Sequence, residues 1–451
     1  MLKNFELKFC GAAKTVTGSC YEITADKRKI LIDCGMFQGE DVFKLNYEEF
    51  KFIPKEIEAV VLTHGHIDHC GLLPKLYKEG FRGKVYCTPP TAEILRYILL
   101  DSARVQEKNF QFKHIEPLYN VDDSIGLLSL LETKDFNTSF ELDSFEIELI
   151  PSSHILGAAS VSFKYSGKHL LFSGDIGRIK PRIIKGFEDD FLEPDTIIME
   201  SLYGNRLHPD FEQGVSKLSH IINETTSRNG NVIIPIFSLH RSQEILFILN
   251  SLIKEGRLDP NVQLFFDTPL GENLLNVYLE NSKYFSSDFN SLDDPFGLEN
   301  PNLSIVRSGG KSRRLKKEQG AIIIAGGGMA DGGRVVGHIA SFIHDTNSSI
   351  IFTGFQAEGT LGHELIKHPN EVTINKQKRK VKFKIHEVYG FSAHADSNEL
   401  LWWLESHTSD NLKEVFLVHA DLEQSSDFSE LIKGKGYTNI TIPELGQTVD
   451  F

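Results

Sequence analysis

Six consecutive residues, His64-Gly65-His66-Ile67-Asp68-His69, hold four side chains able to bind a metal ion. They follow the apolar run Ala59-Val60-Val61-Leu62, which reads as a strand. Side chains two apart on an extended segment point the same way, so His64 and His66 can present two imidazoles to one ion. Asp68 and His69, on the turn that follows, reach a second. Any one of these histidines reads equally well as a satisfied core residue. As a cluster they do not, because uncompensated buried imidazoles and a carboxylate would each carry a desolvation cost.

Further ionisable residues stand where other apolar runs end. Ile30-Leu31-Ile32 leads into Asp33, and Leu170-Leu171-Phe172 into Ser173-Gly174-Asp175. Thr196-Ile197-Ile198-Met199 leads into Glu200, and Val415-Phe416-Leu417-Val418 into His419. His154 follows the alternating segment Phe145-Glu146-Ile147-Glu148-Leu149-Ile150. Strand ends are where α/β proteins place their sites. His64, His66 and His154 offer three neutral nitrogens suited to one zinc; Asp68, His69 and His419 offer a mixed set to another, and Asp175 could bridge the two. Ions about 3.5 to 4 Å apart would hold a hydroxide at neutral pH and clamp both oxygens of a phosphoryl transfer. Spacing alone does not bring His419 near His64.

The elements that must position these groups are short apolar runs, most of them followed by helical patterns, which indicates a layered α/β architecture. A chain of 451 residues exceeds one ordinary core and suggests two domains or one domain with a large insertion. With 40% hydrophobic and 24% charged residues the composition is globular. Met1 to Glu6 lack the apolar core of a secretion signal, and no run approaches the roughly 18 residues that span a bilayer. A cytoplasmic protein without membrane contact is expected. Cys10, Cys20, Cys34, Cys70 and Cys87 are odd in number and form no CxxC pair, which argues against a disulfide framework and a thiolate zinc site. Cys70, beside His69, reads as a small buried hydrophobe.

A net charge of -14 is unusual for a nucleic-acid enzyme, although metal ions supply positive charge locally. Basic residues gather at 311–317 and at Lys376, Lys378, Lys380, Lys382 and Lys384, the last set interleaved with Val381, Phe383 and Ile385. That alternation fits the wet face of a half-buried strand or an RNA-facing edge. The run Ala325-Gly326-Gly327-Gly328-Met329 fits a tight turn or a phosphate cradle.

With these residues in hand, the chain resembles metallo-β-lactamase-fold enzymes of the β-CASP group, which includes RNase J and the cleavage subunit of the eukaryotic pre-mRNA 3′-end processing factor. The similarity starts at Gly11-Ala12-Ala13-Lys14-Thr15-Val16-Thr17-Gly18-Ser19 and continues through Asp33-Cys34-Gly35-Met36-Phe37-Gln38-Gly39. The HxHxDH motif is His64 to His69, the third-motif histidine is His154 in Ser153-His154-Ile155-Leu156-Gly157, and the fourth-motif aspartate is Asp175. Three motifs that mark the β-CASP nucleases also appear: Glu200 in Met199-Glu200-Ser201-Leu202-Tyr203-Gly204, His394 in Phe391-Ser392-Ala393-His394-Ala395-Asp396, and His419. A histidine at the last position is typical of RNA-acting members. The insertion's landmarks include Asn231-Val232-Ile233-Ile234-Pro235, Gly328-Met329-Ala330-Asp331-Gly332-Gly333-Arg334 and Gly354-Phe355-Gln356-Ala357-Glu358-Gly359. After His419 the chain departs from the family pattern with Ala420-Asp421-Leu422-Glu423.

The resemblance implies an α/β fold in which a four-layer αββα metallo-β-lactamase sandwich, residues 1–205 and 371–451, is interrupted by a β-CASP α/β domain, residues 206–370. It implies a metal-dependent ribonuclease that hydrolyses RNA phosphodiester bonds through a hydroxide held by two zinc ions, with manganese as the alternative metal. Endonucleolytic cleavage is expected and 5′ exonuclease action is open. The metal ligands would be His64, His66, Asp68, His69, His154, Asp175 and His419. The catalytic set would be Asp68, Asp175, Glu200, His394 and Asp33, with Asp33 orienting a ligand by hydrogen bonding and Glu200 with His394 acting as an acid-base or phosphate-orienting pair. RNA is the expected partner, and a homodimer is open. Two other readings stand beside this one: a hydrolase of small esters or thioesters on the same fold, and a non-catalytic RNA-binding paralogue. The β-CASP landmarks argue against the first and the complete ligand set against the second.

Overall fold

Period-two burial builds the first sheet of the chain: in the strand Phe5–Phe9 the residues Phe5, Leu7 and Phe9 are buried while Glu6 faces water. A computed structural model describes residues 4–39, 42–187 and 191–451. Its backbone divides into two units, Met1–Leu207 with Ala393–Phe451, and His208–Ser392.

The first unit contains two seven-stranded sheets. One runs Thr448–Asp450, Phe5–Phe9, Tyr21–Ala25, Arg28–Ile32, Ile57–Val61, Lys84–Cys87, Leu131–Thr133, antiparallel up to Arg28–Ile32 and parallel beyond it. The other runs Ile440–Thr441, Glu414–Val418, Thr196–Glu200, Lys168–Phe172, Ala159–Tyr165, Phe145–Pro151, Phe140–Leu142. Phe5, Leu7, Phe9 and Ile30 of the first meet Phe145, Val161, Phe172 and Phe416 of the second in one apolar layer. Leu31, Val60 and Val85, on the far face of the first sheet, pack with Leu73, Leu76, Leu95 and Leu99 from the helices Leu73–Lys78 and Pro89–Lys113. Leu171, Ile197 and Leu417, on the far face of the second, pack with Leu400, Trp403 and Phe428 from the helices Ser397–Ser406 and Leu422–Lys433. These contacts are the four αββα layers that the resemblance implies.

The second unit is built on a six-stranded sheet in the order Leu303–Ile305, Leu264–Asp267, Ile322–Gly326, Val232–Ile236, Ser349–Phe352, Lys384–Glu387, parallel throughout. All five residues of Val232–Ile236 are buried, as expected of a parallel strand covered on both faces. The similarity places the return to the first unit at about residue 371, whereas the backbone divides at Ala393. The physical reason is twofold: Lys384–Glu387 completes the parallel sheet beside Ser349–Phe352, and the hairpin Glu371–Ile374 with Gln377–Lys380 sends Val372 and Ile374 into that unit's core. Lys376, Lys378, Lys380 and Lys382 are exposed while Phe383 is buried, which is the half-buried wet face. In the glycine run, the amides of Gly327 and Ala330 donate to Ile236 and Gly327 carbonyls, which is turn chemistry. All five cysteines are free and buried. Among the described residues no helix is long and apolar enough to cross a membrane.

Candidate metal centre

After the strand Ile57–Val61 the chain bends at Gly65 and reaches His66, whose carbonyl opens the short helix Ile67–Cys70 by accepting from the amides of His69 and Cys70, each at 3.0 Å. That turn swings His69 back against His64, with ring centroids 4.1 Å apart. Asp33 and His419 close their strands with φ of 58° and 55°, the left-handed region that costs non-glycine residues on the order of 1–3 kcal/mol. The His419 amide is held by the Ala12 carbonyl at 2.8 Å. Two glycines permit the close approach of backbones here. A Cβ on Gly35 would lie 1.6 Å from the Asp68 carbonyl oxygen, and one on Gly177 would lie 1.8 Å from that of Ser153. Gly177 also bridges to His394, which brings His394 beside Asp175.

The expected donors converge in two groups. His64, His66, His154 and Asp175 form one, and Asp68, His69 and His419 the other. His66 Nδ1 lies 3.0 Å from His64 Nε2 and 3.2 Å from His154 Nε2, and His69 Nε2 lies 3.2 Å from His419 Nε2. Ligands about 2.0–2.1 Å from a tetrahedral zinc stand roughly 3.3 Å from one another, so these spacings fit the edges of such a shell. Asp175 faces both groups: Oδ2 is 3.3 Å from His64 Nε2 and 3.4 Å from His154 Nε2, while Oδ1 is 3.0 Å from His69 Nε2 and 3.5 Å from His419 Nε2. His419 Nε2 is also 3.5 Å from Asp68 Oδ2. The residues present therefore fit divalent metal binding, with Asp175 within reach of both donor groups. His66, Asp68 and His394 are the partly exposed members, so the cluster opens to solvent on their side.

Electrostatics divide the donors: one set stands ready for a cation, and His69 and His419 must give up a proton to bind one. Burial, reinforced by neighbouring imidazoles, lowers the pKa of His64 to about 4 and of His66 to about 3, and pushes His154 down as well. All three are neutral near pH 7 with lone pairs available to a cation. Burial opposes charge on His69 and His419 too, but there the Asp175 carboxylate, with Asp33 beside His69 and Asp68 beside His419, raises both. Burial likewise opposes charge on Asp68 and Asp175, yet the surrounding imidazoles hold both carboxyls below their usual range.

Asp33 does not join either group; it orients one. Its Oδ2 accepts from His69 Nδ1 at 2.7 Å and from the Thr63 hydroxyl at 2.8 Å, and its Oδ1 accepts from the Thr63 amide at 2.8 Å. The Thr63 oxygen in turn stands 3.1 Å from His64 Nδ1. This network places a ring proton of His64 and of His69 on Nδ1, so that Nε2 is the atom each presents to a cation. Thr63 was not among the residues singled out from sequence; its position between Leu62 and His64 was the available signal. Glu200 is fully buried, accepts from the Ile176 amide through Oε1 and meets His394 Nδ1 through Oε2 at 3.1 Å. With both oxygens engaged, it is a hydrogen-bonding partner to His394 rather than a third ion's ligand. Burial works against charging His394, but the Glu200 and Asp175 carboxylates raise its pKa to about 9. Tyr203, also not singled out, lies against His394 with ring centroids 6.1 Å apart. Cys70 is buried and belongs to neither donor group. Asp421, part of the departure after His419, caps the helix Leu422–Lys433 by accepting from the Gln424 amide at 2.8 Å.

Family models match the chain at residues 13–216 (metallo-beta-lactamase superfamily), 242–365 (Beta-Casp domain) and 378–443 (Zn-dependent metallo-hydrolase RNA specificity domain). A relative named Ribonuclease TTHA0252, from Thermus thermophilus, is 32% identical over 97% of this chain and 98% of its own length. The chain belongs to the β-CASP metallo-β-lactamase family. Other β-CASP relatives are an RNase J-like protein of Methanocaldococcus jannaschii, 30% identical over 94% of this chain and 95% of that one, and the transcription termination factor FttA of Methanosarcina mazei, 28% identical over 94% of this chain and 68% of that one. A crystal structure of a protein of unknown function from Enterococcus faecalis V583 covers 99% of this chain and 100% of its own with a TM-score of 0.59 at 13% identity, a likeness of fold alone. As a β-CASP metallo-hydrolase the chain is a metal-dependent hydrolase by family, and its two donor groups are candidate ligand clusters.

Proposed function

We propose that this β-CASP protein is a ribonuclease that hydrolyses RNA phosphodiester bonds with two zinc ions, manganese being the alternative, and that its cleavage is endonucleolytic. The observation that carries the reading is the Glu200–His394 pair set beside two donor groups that share one carboxylate, Asp175. The names of its ribonuclease relatives support the substrate class. Divalent ions bound there supply Lewis-acid stabilisation of charge on the attacking and leaving oxygens. The chain's own residues do the rest. Asp33 and Thr63 keep His64 and His69 in the tautomer that presents Nε2. Glu200 fixes His394 through Nδ1, so that Nε2, 3.9 Å from Asp175 Oδ2, is the atom that carries a proton toward the leaving oxygen. Asp68 and His66 line the open side on which the phosphate arrives.

End-labelled RNA and DNA, incubated with the protein with and without chelator, test this. Internal cuts in RNA that disappear with chelator are expected, together with stoichiometric zinc or manganese by mass spectrometry and loss of cleavage in Asp68→Ala. Protein without stoichiometric metal, or an Asp68→Ala variant as active as wild type, would end the proposal. A cytoplasmic location and a homodimer belong to the same reading. Cell fractionation tests the first and light scattering the second.

A further inference from the structure

Three aromatic side chains of the second unit stay exposed although each follows a strand of the parallel sheet: Phe237 at 47%, Phe355 at 61% and Tyr389 at 48%. The parallel registers pair Val232 with Ser349 and Ser349 with Lys384. Phe237 directly follows Val232–Ile236, Phe355 stands three residues past Ser349–Phe352, and Tyr389 two past Lys384–Glu387, three strands that are neighbours in the sheet. The Val388 amide, bonded to the Phe352 carbonyl at 2.8 Å, keeps that register past the last paired residues. A side chain at Gly354, the residue before Phe355, would meet nothing within 4 Å.

The platform is braced from beneath. Gln356 is buried, and its amide donates to the carbonyls of Gly328, Gly354 and Phe355 at 3.1, 3.2 and 3.0 Å, tying the Phe355 loop to the glycine run. Gly328 lies so close under the Phe237 ring that a Cβ there would come within 2.7 Å of it. Scattered exposed aromatics need no explanation, but three on adjacent strand ends, at the carboxyl edge where parallel sheets bind ligands, do. Rings offer π faces that accept any nucleobase, and base-on-aromatic stacking needs no charge at this edge.

We propose that Phe237, Phe355 and Tyr389 form a stacking platform for the unpaired bases of single-stranded RNA. This rests on the ribonuclease reading for its ligand, and the matched RNA specificity domain includes Tyr389. The platform binds bases without sequence preference and makes no contact with phosphate.

The test is fluorescence anisotropy of a labelled oligouridylate and of an abasic strand of equal length, with the full chain under chelator so that nothing is cleaved. Phe237→Ala, Phe355→Ala and Tyr389→Ala should each weaken oligouridylate binding roughly 5- to 150-fold, the range of one lost stack. Tyr389→Phe should bind as wild type, and Phe237→Leu, which keeps apolar bulk over Gly328 without a ring, should bind as poorly as the alanine variant. The slope of log Kd against log salt should not change, because no phosphate contact is lost. All proteins should bind the abasic strand alike. Unchanged affinity in the alanine variants, an equal loss on the abasic strand, a shallower salt slope or full binding by Phe237→Leu would each overturn the platform. Circular dichroism checks that the variants fold. Cleavage by wild type alongside unaffected binding would refute the platform alone; absence of cleavage with either metal would refute the ribonuclease reading while the binding comparison still decides the platform.

Discussion

Asp33→Asn should weaken the Asp68, His69 and His419 group more than the group that holds His64. The wild-type carboxylate receives three donors, His69 Nδ1 at 2.7 Å, the Thr63 hydroxyl at 2.8 Å and the Thr63 amide at 2.8 Å, and it is buried from water. Asparagine has one acceptor oxygen and one NH2, so one of two arrangements must follow. If the oxygen stays toward His69 and the hydroxyl, the NH2 faces the Thr63 amide, and a buried donor goes unmet at about 1–3 kcal/mol. If the oxygen turns to the Thr63 amide, the NH2 faces His69 and forces its ring proton to Nε2, the atom that faces Asp175 and His419. Either way the Asp68, His69 and His419 group suffers, and outer hydrogen-bonding partners of this kind change affinity by roughly 10- to 100-fold. The His64, His66 and His154 group meets Asp33 only through the Thr63 hydroxyl beside His64 Nδ1, so it should weaken less. Competitive titration against a chelator, with zinc counted by mass spectrometry, resolves two steps if two ions bind. The reasoning is refuted if both steps weaken equally or if neither moves.

Other outcomes follow from the same structure. Gly35→Ala would drive a Cβ into the Asp68 carbonyl and should lower stability by about 3 kcal/mol in urea unfolding, whereas Gly337→Ala, which meets nothing within 4 Å in the helix Val335–Phe342, should raise it by roughly 0.5–1 kcal/mol; a neutral Gly35→Ala would show that the contact is relieved by backbone movement. Burial lowers His407 to about 4, so the unfolded chain takes up a proton below about pH 6.5 that the folded chain refuses until about pH 4. Stability therefore falls by up to about 3 kcal/mol as pH drops through that window, and His407→Leu should flatten this part of the profile; an unchanged slope would exclude His407 as its source. Burial pushes the Cys87 thiol up to about 12 and also raises Cys70. The folded protein should leave its five cysteines unreacted with a thiol reagent until denaturant is added, and rapid native labelling of any of them would contradict the buried arrangement.

Much of the site was legible along the chain because its ligands sit in short local patterns. His64, His66, Asp68 and His69 lie within one strand end and one helical turn, where residue spacing alone determines direction. The apolar runs ending in Asp33, Asp175, Glu200 and His419 are strands, as their patterning indicates. Less legible was the return at Ala393. The segment from 371 to 392 has the strand-like composition of either unit, and only its pairing with Ser349–Phe352 assigns it. Thr63 was overlooked for a related reason: a threonine before a histidine has no chemical signature until Asp33 is folded against it.

The sequence by itself determined which chemical groups this protein has, where its strands end, and which family those endings belong to, since each depends on neighbours a few residues away. Tertiary structure alone brings His419 to His69 across 350 positions of chain, turns the two oxygens of Asp175 toward different donor groups, and sets the strands before Phe237, Phe355 and Tyr389 side by side. Those facts depend on sheet order and register, which long-range hydrogen bonding and burial settle together and no local spacing records.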